Sequence, residues 1–254
     1  MSLHVHRYGE GRPVLALHGI KGHGARWRCL AEEHLAGWRV VAPDLRGHGR
    51  STYDAPWHVE RHAADLLALL DAEGVDRADV VGHSYGGMIA VHLARVAPTR
   101  VGRLVLLDPA IGLDPARMRE RAHESLATAS YADPGEALAA RAVGWPDAPA
   151  QAVDDEVAEH LERGPDGRWR WRFEPAAVVT AFSEMARPAV APPPGVPTHL
   201  VIAVRAGLVR PEFVAACREA LDGAFTVTEI DAGHMLFIDR PAQVGPLVRD
   251  LLSR

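Results

Sequence analysis

Short apolar segments alternate with amphipathic segments along the first part of this chain. Four apolar runs have the length of buried parallel strands, at residues 13–17, 38–42, 78–81 and 103–107. Between them, residues 25–35 and 59–72 carry apolar side chains at helical spacing, and Gly74 follows the second of these segments. The alternation predicts βαβ crossovers, and therefore an α/β fold with a mostly parallel central sheet flanked by helices.

The alternation of strand-like and helix-like segments stops between residues 111 and 188. This stretch is rich in Ala, Arg and Glu at helical spacing, is broken by several prolines and by Gly164-Pro165-Asp166-Gly167, and has no clear buried strand. We interpret it as a helical lid. The strand and helix alternation resumes at residues 198–204, 211–221, 225–230 and 242–252. The predicted organisation is an α/β core of residues 1–110 and 189–254 with a lid of residues 111–188.

The composition and charge of the chain argue against several classes of protein. The chain has 254 residues, 48% of them apolar and 24% charged, which is typical of a globular protein. No apolar run approaches the roughly 18 residues that span a bilayer. A net charge of −5 without a basic cluster argues against a nucleic-acid partner. Since residues 1–7 lack the pattern of a secretory signal, we expect a cytoplasmic protein with no membrane association.

Cysteine usage agrees with a reducing compartment. Cys29 and Cys217 are far apart in sequence, and neither has the spacing of a metal ligand. We expect two buried free thiols. The sequence leaves the oligomeric state open.

The most informative motif is Gly82-His83-Ser84-Tyr85-Gly86, directly after the apolar run at 78–81 and before a helix-like run. This order predicts a strand, a sharp turn and a helix, which is the setting of a nucleophilic serine. A serine hydroxyl is a poor nucleophile at its free pKa, so it requires an adjacent base. Glycines on both sides permit the close backbone approach that such a turn needs.

His234 is the strongest candidate for the base. It lies in Asp231-Ala232-Gly233-His234-Met235, after the last predicted strand. Because parallel strands share their carboxyl ends, loops that leave them meet at one edge of the sheet. Ser84 and His234 are therefore expected to converge there.

In these motifs, the chain resembles the α/β-hydrolase superfamily over nearly its whole length. The similar segments are His18-Gly19, residues 44–51 (DLRGHGRS), residues 82–86 (GHSYG) and residues 233–235 (GHM). The resemblance implies an oxyanion hole formed by the backbone N–H groups of Ile20 and Tyr85. It also implies that His18, Asp44, Arg46 and His48 order their loops.

The third member of a catalytic triad departs from the usual family pattern. Similar members commonly carry an Asp after the strand that corresponds to residues 198–204, but residues 205–209 here contain no acid. Some members place the acid one strand earlier, where this chain has Asp108. We assign Asp108 as the partner of His234. Asp231 and Glu212 are the alternatives, although Glu212 is also suited to the first turn of a helix.

Several aromatic residues are candidates for the lining of the substrate pocket. Trp27 and Tyr85 are predicted at its mouth, Trp145 and Trp169 on the wall that the lid supplies, and Lys21 and His23 are candidates for contact with a polar substrate group. The competing interpretation is that the lid aromatics only anchor the lid to the core.

The function that this sequence predicts is a serine hydrolase acting on a small-molecule carboxylic ester or related acyl compound. No cofactor or metal is implied. Ser84 at the turn argues against branches of the superfamily that need an Asp nucleophile there. The alternatives are a C–C bond hydrolase or lyase with the same triad, and a non-catalytic ligand-binding protein, since one fold hosts many chemistries.

Overall fold

A seven-stranded sheet forms the centre of the computed structural model, which describes residues 3–254. Its strand order is β1-β3-β2-β4-β5-β8-β9, with β1 antiparallel to β3 and the remaining pairs parallel. The strands of this sheet are β1 (Val5–Tyr8), β2 (Arg12–Leu17), β3 (Trp38–Pro43), β4 (Ala78–His83), β5 (Val101–Leu107), β8 (Thr198–Ala203) and β9 (Phe225–Ile230). The predicted fold class is confirmed.

Helices flank the sheet and follow most of its strands. The helices outside the segment between β5 and β8 are α1 (Arg28–His34), α2 (Val59–Ala72), α3 (Tyr85–Val96), α8 (Pro211–Leu221), α9 (Leu236–Asp239) and α10 (Pro241–Ser253). Residues Gly24–Trp27, predicted as the start of a helix, form a 3-10 turn ahead of α1.

Two apolar clusters cover the two faces of the sheet. Along β2, Leu15 and Leu17 belong to one cluster while Val14 and Ala16 belong to the other, as the alternation of side chains in a strand requires. Every residue of β4 is buried. Burial on both faces explains why the central strands read as continuous apolar runs in the sequence.

Strand β1 was not predicted. Three of its four residues are partly buried, Arg7 is exposed, and the strand lacks an apolar run. The strand exists because its backbone pairs with β3, from Val5 opposite Pro43 to Tyr8 opposite Val40. Pairing at a sheet edge depends on backbone hydrogen bonds more than on side-chain hydrophobicity, so the sequence pattern carries little signal for it.

The segment between β5 and β8 is not entirely helical, which corrects the prediction. It contains α4 (Pro115–Leu126), α5 (Pro134–Gly144), α6 (Ala150–His160) and α7 (Pro175–Met185). It also contains a two-stranded antiparallel hairpin of β6 (Leu161–Arg163) and β7 (Trp169–Trp171). Gly167, with φ of 78°, lies in the connecting turn, where glycine is favoured. The boundaries 111 and 188 stay a prediction.

Cys29 and Cys217 are both free, but only Cys217 is buried. Cys29 is exposed because it lies on the outer side of α1, whereas Leu30 and Ala31 on that helix face the core. The expectation of two buried thiols is therefore corrected for Cys29. Over residues 3–254, no helix is both long enough and apolar enough to cross a bilayer.

The core also encloses several imidazole rings. His18, His48, His62, His83 and His160 are each at most 2% exposed. Burial lowers the pKa of each of these rings, to about 4 for His48 and about 3 for His62. The folded protein therefore holds these rings neutral at pH values where an unfolded chain, with pKa values near 6.5, takes up protons.

This difference predicts a loss of stability on acidification. Below pH 6.5 the unfolded state binds more protons, so the stabilisation that is present above pH 6.5 declines as the pH falls towards 4. Between pH 7.5 and 5.5, we expect the free energy of unfolding in urea to fall by roughly 1 kcal/mol for each buried ring. His62→Gln should reduce this pH dependence, and the exposed control His123→Gln should not. Equal slopes for His62→Gln and the wild type would contradict the explanation.

Candidate active site

Ser84 lies at the sharp turn between β4 and α3. Its backbone has φ of 55° and ψ of −121°, a region that L-residues rarely adopt. Its N–H donates to the carbonyl oxygen of Leu107 at 3.1 Å, and its carbonyl oxygen accepts from the N–H of Ala110, also at 3.1 Å. These bonds to the end of β5 hold the strained turn in place.

The two glycines of the motif are required by close backbone approach. A Cβ on Gly82 would lie 2.6 Å from the carbonyl oxygen of Gly86, and a Cβ on Gly86 would lie 2.3 Å from that of Leu17. Both contacts are with backbone atoms, which cannot move aside cheaply. The spacing of glycines in the sequence is thus explained by packing of α3 against the ends of β4 and β2.

His234 lies between Ser84 and Asp108. Its Nε2 is 2.9 Å from Ser84 Oγ, and its Nδ1 is 2.6 Å from Asp108 Oδ2. Asp108 is fully buried at the end of β5, and its other oxygen accepts the N–H of Ala203 at 3.1 Å. Since a carboxylate only accepts, Nδ1 carries the proton and Nε2 is free to accept from the serine hydroxyl.

The alternative acids lie elsewhere. Asp231 has 90% of its side chain exposed and pairs with Arg205, while Glu212 is 69% exposed and lies 3.6 Å from Arg210. Neither contacts His234. Of the acids that the sequence offered, the structure brings only Asp108 to the imidazole.

His83 is a site residue that the sequence analysis missed. Its Nε2–H donates to the carbonyl oxygen of His234 at 2.8 Å, and the two rings lie 4.6 Å apart. Burial, with a smaller effect of His234, lowers the pKa of His83 far below its usual range. A neutral imidazole therefore fixes the backbone of the loop that carries His234. The position of His83 next to Ser84, within residues 82–86, was the only sequence feature that could have indicated this role.

Two backbone N–H groups near the Ser84 turn, those of Ile20 and Tyr85, are candidates for an oxyanion hole. Neither donates in the loop and helix-cap backbone hydrogen bonds of residues 3–254. Tyr85 is the first residue of α3, where an N–H has no partner within the helix. Ile20 follows Gly19, whose Cβ, if present, would lie 2.9 Å from Ser84 Cβ. Both amides are thus available beside the serine.

Buried polar residues organise the loop that contains Ile20. His18 Nε2 accepts the N–H of Leu45 at 2.9 Å, and its Nδ1–H donates to the carbonyl oxygen of Gly19 at 2.7 Å. Asp44 accepts N–H groups of Gly24 and Arg50, each at 2.7 Å. Burial would raise the pKa of Asp44, but hydrogen bonds from His6 and from these amides hold it well below its usual range.

A buried ion-pair network joins this loop to α6. Arg26 donates to both carboxylate oxygens of Glu156, at 2.9 and 2.5 Å, and to the carbonyl oxygen of Lys21 at 3.0 Å. His23 is 2.8 Å from the same carboxylate. Burial opposes the ionisation of Glu156, but Arg26 and His23 hold its pKa well below the usual value. His23, proposed for substrate contact, instead anchors the segment between β5 and β8.

A cavity of about 330 Å³ opens over Ser84 and His234. Its apolar walls come from helices α4 and α7 and from neighbouring loops, at Leu113, Met118, Phe182, Met185 and Leu208. Lys21 and Ser125 also line it. The segment between β5 and β8 thus forms one side of the cavity, as the sequence analysis expected for that segment.

The predicted pocket aromatics lie away from this cavity. Trp27 is fully buried in the core with its ring 4.4 Å from that of Phe237, and Tyr85 is fully buried as well. Trp145 packs against Arg26 and Arg141, and Trp169 pairs through its backbone with Tyr131. Trp27 and Tyr85 are therefore core residues rather than pocket residues, whereas Trp145 and Trp169 are partly buried side chains of the segment between β5 and β8 that do not line this cavity.

One grouping of residues has the composition of a metal site. Ligand atoms of His4, His6 and Asp44 lie within 4.8 Å of one another. The Asp44 oxygens already accept the N–H groups of Gly24 and Arg50, and His6 is 3.2 Å from Oδ1. These hydrogen bonds account for the cluster as part of the loop structure.

Comparisons with known proteins agree with this fold. A family model described as alpha/beta hydrolase fold matches residues 12–134. The chain is 44% identical over 258 residues to Lipase LipV of Mycobacterium tuberculosis, covering 100% of this chain and 98% of that protein. It is 39% identical over 119 residues to a 2-hydroxy-6-oxo-2,4-heptadienoate hydrolase of Pseudomonas putida, covering 44% and 42%. A solved E-2-(acetamidomethylene)succinate hydrolase has a TM-score of 0.82 at 21% identity, covering 99% and 95%, which shows the fold alone.

The buried network predicts unequal effects for two neighbouring acids on α6. Glu156→Gln leaves the buried Arg26 charge without its anionic partner, so we expect a loss of roughly 3 to 5 kcal/mol in the free energy of unfolding. Glu159→Gln breaks partly exposed pairs with Arg28 and Arg50, and should cost about 1 kcal/mol or less. Urea unfolding measures both, and similar losses for the two variants would refute the distinction.

Proposed function

The chain belongs to the α/β-hydrolase fold family, and from this premise we propose that it is a serine hydrolase that cleaves a carboxylic ester or related acyl compound. The observation that carries the proposal is the continuous chain from Asp108 through His234 to Ser84, with distances of 2.6 and 2.9 Å. These are hydrogen-bond distances in which a base can take the serine proton.

In the first step, Ser84 Oγ attacks the carbonyl carbon of the ester while His234 Nε2 accepts the hydroxyl proton. Asp108 stabilises the imidazolium that forms and keeps Nδ1 protonated. The N–H groups of Ile20 and Tyr85 are proposed to bind the developing oxyanion, and one such donor is typically worth about 3 to 4 kcal/mol. The ester C–O bond then breaks, and His234 returns the proton to the leaving alcohol.

In the second step, water replaces the alcohol. His234 accepts a proton from the water as it attacks the acyl-enzyme, and it returns a proton to Ser84 Oγ as the ester bond breaks and a carboxylic acid is released. His83 acts as a positioning residue in both steps, because it holds the carbonyl of His234 without exchanging protons near neutral pH. We further propose that α4 and α7 form a lid whose apolar surface limits the size of the acyl group.

The alternatives fit less well. A C–C bond hydrolase is suggested by the Pseudomonas putida relative, but that match covers 44% of this chain, against the full length for the relative named a lipase. A non-catalytic binding protein would have no need for the ordered hydrogen bonds between Asp108, His234 and Ser84. The ester hydrolase therefore has the stronger support.

The nucleophile can be tested by covalent labelling. We expect a fluorophosphonate to modify the wild-type protein at Ser84, and Ser84→Ala to lose both labelling and hydrolysis of short p-nitrophenyl esters. Only a hydroxyl is removed from an existing turn, so the unfolding transition should be retained. Ser253→Ala, at an exposed position of α10, is the control that should keep the label. Labelling at a residue other than Ser84 would exclude the proposed nucleophile.

The acid is tested by Asp108→Asn, which is nearly isosteric. Asn can hold His234 in the wrong tautomer and offers no charge to the imidazolium, so we expect kcat to fall at least a hundredfold, or about 3 kcal/mol in activation free energy. Asp231→Asn and Glu212→Gln are controls that should stay near the wild-type rate. A silent Asp108→Asn would remove the acid from the mechanism.

A further inference from the structure

We propose that the natural substrate carries a carboxylate distal to the scissile bond, and that a second chamber beside the Ser84 cavity binds it. The inference rests on the proposed hydrolase function and specifies its substrate class. The specificity-determining residues are Lys21 and Arg141.

The chamber has a volume of about 250 Å³ and adjoins the Ser84 cavity. Lys21 and Ser125 line both spaces, so they form the partition between them. Tyr131, Arg141, Trp171 and Phe173 complete its polar and aromatic lining. The proposal places the acyl carbon of one ligand at Ser84 and its far end at Lys21, on the boundary of the two spaces.

The charge of this chamber is not balanced. Lys21 and Arg141 both line it, and within residues 3–254 its lining includes no Asp or Glu. Lys21 Nζ donates to the neutral Ser125 hydroxyl at 3.0 Å. Arg141 lies 3.4 Å from Glu156, but that carboxylate is bound more closely by Arg26, at 2.5 Å. Glu124 lines the Ser84 cavity and pairs with Arg121 at 3.0 Å.

Desolvation makes these cations receptive to an anion. Burial, and then the charge of Arg141, lowers the pKa of Lys21. Burial likewise lowers the pKa of Arg141. An isolated cation in a poorly solvated site is costly unless it is paired. A bound carboxylate would supply the anionic partner that Lys21 lacks and a second one for Arg141, which shares Glu156 with Arg26, and its hydrogen bonds would be charge-assisted.

Hydrogen-bond donors with free protons accompany the charges. The Ser125 hydroxyl accepts from Lys21 and the Tyr131 hydroxyl accepts from Trp171 Nε1 at 3.1 Å, so both retain a proton to donate. Arg141 Nε is buried and has no partner among the described residues. The planar donors of a guanidinium match the two oxygens of a carboxylate.

Aromatic contacts hold the cations in place before any ligand binds. The Arg141 guanidinium lies 4.2 Å from the ring centre of Trp171, and Lys21 Nζ lies 5.5 Å from that of Phe173. Such cation–π contacts lower the entropy that ligand binding would otherwise cost. The site is thus preorganised for an anion at a fixed position relative to Ser84.

The test compares two series of substrates. One consists of mono-p-nitrophenyl esters of straight-chain dicarboxylic acids with six to eight carbons, which carry a free carboxylate, and the other of the same esters with that carboxylate methylated. We expect kcat/KM to be at least tenfold higher for the free carboxylate at one or more lengths, and this ratio to fall with increasing salt. Lys21→Met and Arg141→Met should each reduce the ratio at least fivefold. Arg119→Gln, on an exposed part of α4, is the control that should leave it unchanged.

The outcomes separate this inference from the proposed function. Hydrolysis of both series without a carboxylate preference overturns the inference and leaves the ester hydrolase intact. A preference that survives in both variants also overturns it, because the carboxylate would then be recognised elsewhere. If Arg141→Met does not fold, Lys21→Met decides.

A binding measurement covers the case in which neither series is cleaved, which would count against the hydrolase. Calorimetric titration of Ser84→Ala with monomethyl suberate should then show binding that Lys21→Met, added to this variant, abolishes. Absence of binding would overturn the carboxylate site, and binding that persists with Lys21→Met would do the same.

Discussion

The close packing of α3 against the ends of β2 and β4 is the constraint on which the site depends. Gly82 and Gly86 allow backbone atoms to approach where any Cβ would collide with a carbonyl oxygen. That approach sets Ser84 in its unusual backbone conformation and places the first N–H of α3 next to the loop that follows β2. One packing contact therefore brings together Ser84, the N-terminus of α3 and the amide of the loop after β2.

Position along the sheet explains why Asp108 lies against His234 although the loop after β8 contains no acid. β5 lies between β4 and β8, so the residue after β5 lies beside both Ser84 and the loop after β8. The second oxygen of Asp108 accepts the N–H of Ala203 at the end of β8, which fixes the carboxylate from the far side. The loop after β8 contains no acid, and its Leu208 contributes apolar surface to the cavity.

Buried charged side chains in this protein have two different kinds of partner. Some buried ions have a matched partner, as in the two hydrogen bonds between Arg46 and Asp65 at 2.6 and 3.0 Å. Pairing removes most of the desolvation cost and makes such groups structural. Lys21 donates instead to a neutral hydroxyl and lies against an aromatic ring, and Arg141 stacks on Trp171 and shares Glu156 with Arg26, which binds that carboxylate more closely. That contrast is the reason for assigning them to a ligand rather than to the fold.

The sequence by itself determined the α/β class, because strands buried on both faces must be apolar throughout and the crossovers must be amphipathic. It also pointed to Ser84 and His234, since loops after parallel strands share one edge, and the resemblance to α/β hydrolases added Asp108 as their partner. Only the tertiary structure decided that Asp108 rather than Asp231 meets the imidazole, that Trp27 fills the core, and that His83 holds the His234 loop. These outcomes depend on contacts between residues far apart in the chain, and periodicity reports only which face a residue occupies, not what lies opposite it.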